Sequence, residues 1–203
     1  LISIQQFHTF QLQASAKRII ELRTIEDLLA LKGKKNGVDF VLLGQGSNCV
    51  FLEDYDGDVV IPNFYGKSYK ETEEDFVVEV NASESWHDFV EWLLLQGIYG
   101  LENLALIPGT VGAAPIQNIG AYGIEVEKFI QTVYYFDLAS GYEAAIDNAG
   151  CKFGYRDSVF KHELKTNALI TKVIFRMPKR WKPICNYGGL SDLQEPTAQD
   201  IFD

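Results

Sequence analysis

Gly44-Gln45-Gly46-Ser47-Asn48 is the first stretch whose residue types and spacing could do chemistry. Two glycines let the backbone take positive φ and turn its N–H groups toward one point, and Ser47 and Asn48 add hydrogen-bonding side chains, a combination suited to a phosphate. An ordinary Gly-rich turn is the alternative. The Rossmann fingerprint is not met, because Cys49 stands where its third glycine belongs and an apolar, strand-like Cys49-Val50-Phe51-Leu52 follows instead of a helix. No Gly-Lys-Ser/Thr follows either, so the segment is not a P-loop. The second stretch runs from Ile107 through Pro108, Gly109, Gly112, Ala113, Ile116, Asn118, Gly120, Ala121 and Tyr122 to Gly123, with four of the chain's 17 glycines and no charged side chain. Small residues at that density allow close approach of a ligand or of another backbone, and free N–H groups can hold an anion without lysine or arginine. A tightly packed loop with a structural asparagine is the alternative, but long loops without secondary structure usually have a functional reason.

Phe153-Gly154-Tyr155-Arg156-Asp157-Ser158 is the third stretch, and Arg156 is the only arginine between Arg23 and Arg176. A guanidinium among aromatic and small residues can grip a carboxylate bidentately, although spacing alone favours an Arg156 contact to Asp157 or to backbone that pins a turn. Tyr187, in Asn186-Tyr187-Gly188-Gly189, could clamp a ligand or simply pack. His8, His87 and His162 are isolated, so no metal site is expected, and no Gly-x-Ser-x-Gly nucleophile elbow is present.

These stretches need elements to position them. Ala16–Leu22 reads as a strand. Thr24 with Asp27 three residues on makes a variant capping box for a helix with Ile25, Leu28 and Leu29 at helical spacing, and Gly33 and Gly37 are candidate stops. Asp39–Leu43 is nearly all apolar, as expected of a strand buried on both faces, so the chain opens as a β-α-β unit. Val59–Pro62 and Phe76–Val80 are further strands. Trp86, Phe89, Val90, Leu93 and Leu94 form the stripe of a core-facing helix over 85–96, with Gly97 as its stop. Thr132–Leu138, Tyr142–Ile146 and Ala168–Met177 make the second half mostly strands. The expected class is α+β, with a small lobe over 1–64, a larger strand-rich lobe over 65–190, and the start of a further region over 191–203.

The 203 residues, 47% hydrophobic, suffice for one sizeable core or one domain and part of a second. The net charge of −10 disfavours nucleic acid and anionic lipid as partners. Cys49, Cys151 and Cys185 are odd in number and far apart, which suggests neither a disulfide framework nor a zinc site and fits a reducing cytoplasm. No membrane span or signal peptide is expected, since the apolar stretch 98–119 is broken by Glu102, Asn103, Pro108 and Pro115.

Taken together, these blocks resemble UDP-N-acetylenolpyruvoylglucosamine reductase of type I. His8-Thr9-Phe10 is similar to its Asn-Thr-Phe element with the Asn replaced. GQGSN at 44–48 resembles its pyrophosphate loop, the 100–123 block its flavin-cradling core, FGYRDSVFKHE at 153–163 its active-site arginine segment, and YGGL at 187–190 its mobile tyrosine loop. The resemblance implies a two-subdomain FAD-binding fold of the vanillyl-alcohol-oxidase type. It implies reduction of UDP-N-acetylglucosamine enolpyruvate to UDP-N-acetylmuramate for peptidoglycan, with FAD as cofactor and NADPH as hydride donor, in a cytoplasmic monomer. By position, Arg156 becomes the catalytic cation. Tyr187 and Tyr122 become substrate contacts, and Gly44, Gln45, Gly46, Ser47, Asn48, Ile107, Pro108, Gly109, Gly112, Ala113, Ile116, Asn118, Gly120, Ala121 and Ile170 cofactor contacts. Ala113-Ala114 stands where some relatives carry two serines, which would weaken a phosphate contact by ~1 kcal/mol. The family's proton-donating serine in Gly-Ser-Phe-Phe-Lys and its second catalytic glutamate are not found. Pro196 and Thr197 read as the start of a helix whose apolar face lacks partners, so the chain is expected to be a truncated form that keeps the flavin site and lacks full turnover, or else a non-catalytic interaction module.

Overall fold

The computed structural model describes all 203 residues. Two sheets carry the architecture. The first has β1 (Ile2–Ser3), β2 (Ser15–Leu22), β3 (Phe40–Leu42) and β4 (Tyr55–Pro62) in the order β1-β2-β4-β3. β2 and β3 both run parallel to β4, and α1 (Ile25–Leu29) crosses between them, so the opening β-α-β unit forms with β4 inserted at its centre. The capping box forms as read: the Thr24 side chain accepts from Asp27 N while the Asp27 carboxylate accepts from Thr24 N.

The second sheet is antiparallel throughout, with β5 (Lys67–Glu71), β6 (Asp75–Asn81), β9 (Ile130–Asp137), β10 (Tyr142–Asp147) and β11 (Ala168–Pro178) in the order β10-β9-β11-β6-β5. α2 (Trp86–Leu95) lays Trp86, Phe89, Val90 and Leu93 into the core behind this sheet. The indole N–H of Trp86 donates to Leu104 O at 2.8 Å, which satisfies its polar atom in a fully buried setting. β7 (Gly120–Ala121) and β8 (Ile124–Glu125) form a small hairpin. Leu22, Leu28, Phe40 and Val60 from the first sheet side meet Phe136, Leu138 and Leu169 from the second in one apolar cluster, which joins the two sheets.

Several expectations need correction. The strand at 39–43 is shorter and lies at a sheet edge, with Val41 and Leu42 only half-buried. The strand-like run Cys49–Leu52 is irregular, and Leu52 is 93% exposed. β5 was not foreseen because an edge strand exposed on both sides carries the polar run Lys67-Ser68-Tyr69-Lys70-Glu71 and shows no alternation. The helix announced by Pro196 and Thr197 forms as α3 (Ala198–Phe202), but its apolar face does have partners: Ala198 and Ile201 are buried, and Phe202 stacks on His87 at 5.4 Å. No helix is long and apolar enough to cross a membrane.

Candidate functional site

A cleft of about 510 Å³ opens where the first sheet meets the 108–117 stretch, within the range usual for cofactor sites. Its floor is built from two loops that hold each other. The Gln45 side-chain oxygen accepts from Gly109 N at 3.2 Å, and Ser47 Oγ donates to Pro108 O at 3.2 Å. The 44–48 loop is also backed by the N-terminal segment: Thr9 N donates to Gly46 O, and Thr9 Oγ1 to Gln45 O. Gly46 has φ +60, and a Cβ there would sit 2.5 Å from both Phe7 O and His8 Cβ, so only glycine lets the segments approach this closely. Gly112 is confined in the same way, its N–H bonded to Ala82 O and an added Cβ only 2.6 Å from the Ala82 methyl.

The N–H groups of Gly44, Gln45, Gly46, Ser47 and Asn48 donate to no protein acceptor, although all five residues line the cleft. Consecutive unpaired N–H groups on a turning backbone form an anion-binding concavity. The charged residues lining the cleft are Lys161 and Lys165, with no carboxylate among them. A chain of net charge −10 therefore carries a locally anion-compatible cavity.

Of the residues expected at a cofactor site, Gly44, Gln45, Gly46, Ser47, Asn48, Pro108, Gly109, Gly112, Ala113, Ile116 and Ile170 line the cleft. Ile107, Asn118, Gly120 and Ala121 do not. Ile107 packs on the core behind the second sheet. Asn118 is 1% exposed, and its amide donates to Gly154 O and Glu125 Oε2 while its oxygen accepts from Glu127 N, a structural tie between three segments. Gly120 and Ala121 form β7. Glu127 is pushed above the ordinary carboxylate range by burial and by neighbouring Glu125.

Arg156 lies outside the lining, exposed, at φ +51, and its Nη2 donates to Gln117 Oε1 at 3.0 Å. Gln117 lines the cleft, so the guanidinium is held at its rim. Arg156 does not pair with Asp157. The turn is pinned instead by reciprocal backbone bonds between Gly154 and Asp157 and by Asp157 paired with His162, which holds the Asp157 carboxyl below its usual range. Tyr122 and Tyr187, both exposed, meet edge to face at 6.2 Å. Sequence reasoning missed Ser83, Tyr65, Lys161 and Lys165 as lining residues. The two lysines, spaced four apart after the Arg156 turn, were the one available signal.

A family model described as an FAD binding domain matches residues 16–143. The chain belongs to this family of FAD-binding domains. Its curated relatives include proteins named UDP-N-acetylenolpyruvoylglucosamine reductase from Pseudoalteromonas translucida, 48% identical over 99% of the chain and 59% of that protein, and from Haemophilus ducreyi, 44% identical over 99% of the chain and 60% of that protein. The domain thus spans about three fifths of the length of the curated relatives it matches. Among solved structures, UDP-N-acetylenolpyruvylglucosamine reductase from Thermus caldophilus superposes with a TM-score of 0.67 at 20% identity, over 98% of this chain and 64% of that one. A solvent-stable cholesterol oxidase superposes with a TM-score of 0.58 at 13% identity, over 88% and 37%. At those identities the likeness is one of fold, and it matches the expected α+β FAD-binding class.

Proposed function

We propose that this FAD-binding domain holds FAD in the 510 Å³ cleft and forms the flavin-carrying part of a reductase that converts UDP-N-acetylglucosamine enolpyruvate to UDP-N-acetylmuramate with NADPH. The observation that carries the cofactor reading is the row of five unpaired N–H groups at 44–48 in a cleft free of carboxylates. A pyrophosphate carries charge that such a row can share without a buried counter-ion. Gly109, Gly112, Ala113, Ile116 and Ile170 supply small or apolar surface beside it. When bound, FAD supplies a two-electron carrier between NADPH and the enolpyruvyl double bond.

The chain's own residues have defined tasks in this reading. Hydride addition to the enol ether builds negative charge beside a carboxylate, and a cation fixed in advance lowers the cost of that charge. Arg156 is that cation, its side chain oriented by Gln117 rather than neutralised by Asp157. Tyr122 and Tyr187 border the substrate's nucleotide part. The reaction belongs to cytoplasmic peptidoglycan precursor synthesis, in a monomer. The remainder of the reductase supplies the proton.

FAD titration of the purified chain, followed by visible flavin absorbance, tests the cofactor half, and absence of uptake would overturn it. Arg156→Ala in the intact reductase should leave FAD binding unchanged and lower turnover at least ~100-fold, as for loss of one charge-stabilising group. Near-normal turnover would remove Arg156 from the mechanism.

A further inference from the structure

Beyond β11, residues 179–187 leave the sheet and travel toward the Tyr122 hairpin. From Lys182 to Tyr187 no backbone-to-backbone hydrogen bond joins this strap to the body of the protein. Its polar anchors are two adjacent buried side chains in the 3-10 turn Glu102–Leu104. Glu102, 4% exposed, accepts the indole N–H of Trp181 with one oxygen and Gly100 N with the other at 2.6 Å. Asn103, 3% exposed, donates through Nδ2 to Ile184 O at 2.8 Å and to Tyr122 O at 3.4 Å.

One amide therefore touches both segments that deliver the exposed tyrosines. An NH2 group has two donors, and here each has a separate carbonyl to meet. Tyr122 sits at φ +48, a conformation that a non-glycine residue adopts only when its surroundings enforce it. On the strap side, Trp181 packs edge to face on Tyr99 at 5.7 Å, and Ile184 lies on the core. The Tyr122 and Tyr187 rings meet at an interplanar angle of 85°.

We infer that Asn103, supported by Glu102, is a positioning residue that sets the Tyr122–Tyr187 pair. Its carboxamide clamps the strap against the hairpin, so that the two phenol rings form one wall. This wall takes the nucleotide part of the substrate only if the reductase reading above holds, whereas the clamp itself is a property of this chain. The Asn103 side chain itself is buried, so its amide has no water to turn to. With the amide replaced by an acceptor, the Ile184 and Tyr122 carbonyls face a third oxygen and the strap is repelled.

The test uses the 203-residue chain, without flavin. Asn103→Asp keeps the side-chain volume and removes the donor, and Trp181→Phe removes the indole donor to Glu102 while keeping a ring against Tyr99. One-electron oxidation of the wild type should give a Tyr122–Tyr187 dityrosine cross-link, mapped by mass spectrometry. Either folded variant should lose about 10-fold in cross-link yield and gain about 10-fold in tryptic cleavage after Arg180, the effect of one buried hydrogen-bonded group. Tyr187→Phe should abolish the cross-link yet leave the cleavage rate unchanged. In the intact reductase, Asn103→Asp should raise the substrate KM about 10-fold with kcat and FAD affinity nearly unchanged, a split that general loss of stability would not produce. Wild-type cross-linking and cleavage in folded Asn103→Asp and Trp181→Phe would overturn the clamp. Absence of flavin uptake by the wild type would instead overturn only the cofactor reading, since the clamp is measured without flavin.

Discussion

Replacing Gly46 by alanine separates the role of backbone conformation from that of close packing at the cleft floor. At φ +60 an L-residue costs about 1–2 kcal/mol in the left-handed region. The new Cβ would also meet Phe7 O and His8 Cβ at 2.5 Å and His8 Cα at 2.6 Å, mostly backbone atoms or atoms fixed to backbone, which cannot swing away. Overpacking of this kind costs about 1–3 kcal/mol, so the total is about 2–5 kcal/mol. For a chain of this size that corresponds to a fall of about 4–20 °C in Tm. Gly37→Ala is the control: Gly37 has φ +77, but no atom lies within 4 Å of an added Cβ, so only the conformational part, about 1–2 kcal/mol, applies. Because the 44–48 N–H groups would shift with Gly46, FAD affinity should also fall about 10- to 100-fold in Gly46→Ala and stay normal in Gly37→Ala. Thermal unfolding by circular dichroism and flavin titration read the two effects. Equal Tm values for the two variants would refute the packing argument, and unchanged FAD affinity in Gly46→Ala would refute the role of the loop donors.

Trp86→Phe leaves Leu104 O buried without its donor and should lower stability by about 1–3 kcal/mol, measured by urea unfolding. Arg18 holds the Asp58 carboxyl below its usual range through side-chain hydrogen bonds, so this pair's contribution is present above the usual carboxylate pKa and is lost as pH falls through the depressed value. Glu127 has the opposite sign: its raised pKa makes stability greatest where the carboxyl is protonated, and stability declines as pH rises through that value. Stability–pH curves of Asp58→Asn and Glu127→Gln should each flatten in the corresponding limb. Burial pushes the Cys151 thiol up to about 12, so a thiolate-directed reagent at neutral pH should leave Cys151 unmodified in the folded chain. Burial raises the Cys49 thiol too, but Cys49 is only half-buried and lines the cleft, so at alkaline pH it should react in the free chain and be protected once FAD is added, as peptide mass mapping would show.

Much of the fold was legible because its signals are local. The Trp86–Leu93 stripe, the Thr24–Asp27 capping box and the Val-, Ile- and Phe-rich runs of β6, β9 and β11 each lie within one element, where periodicity and capping chemistry act over a few residues. The strand-like reading of Cys49–Leu52 failed because an apolar run without alternation does not say whether a partner strand lies beside it. β5 was invisible for the converse reason: its pairing with β6 supplies an order that its polar side chains do not announce.

At the candidate site, the sequence alone determined that Gly44–Asn48 could hold an anion, whereas the free donors expected in the 107–123 stretch are mostly spent in the structure, with the N–H groups of Gly109, Val111 and Gly112 bonded to Gln45, Glu84 and Ala82. It also offered Arg156 as a free guanidinium or as the pin of a turn, and spacing alone favoured the pin. Tertiary structure pairs Asp157 with His162 instead of Arg156 and brings Gln117, 39 residues earlier, to the Arg156 guanidinium. It decided that Asn118, Gly120 and Ala121 stand outside the cleft. It also joined Gln45 to Gly109 across 64 residues and Asn103 to Ile184 across 81. Such contacts depend on how two sheets pack over a shared core, and because each arises from elements far apart in the chain, no pattern of neighbouring residues encodes them.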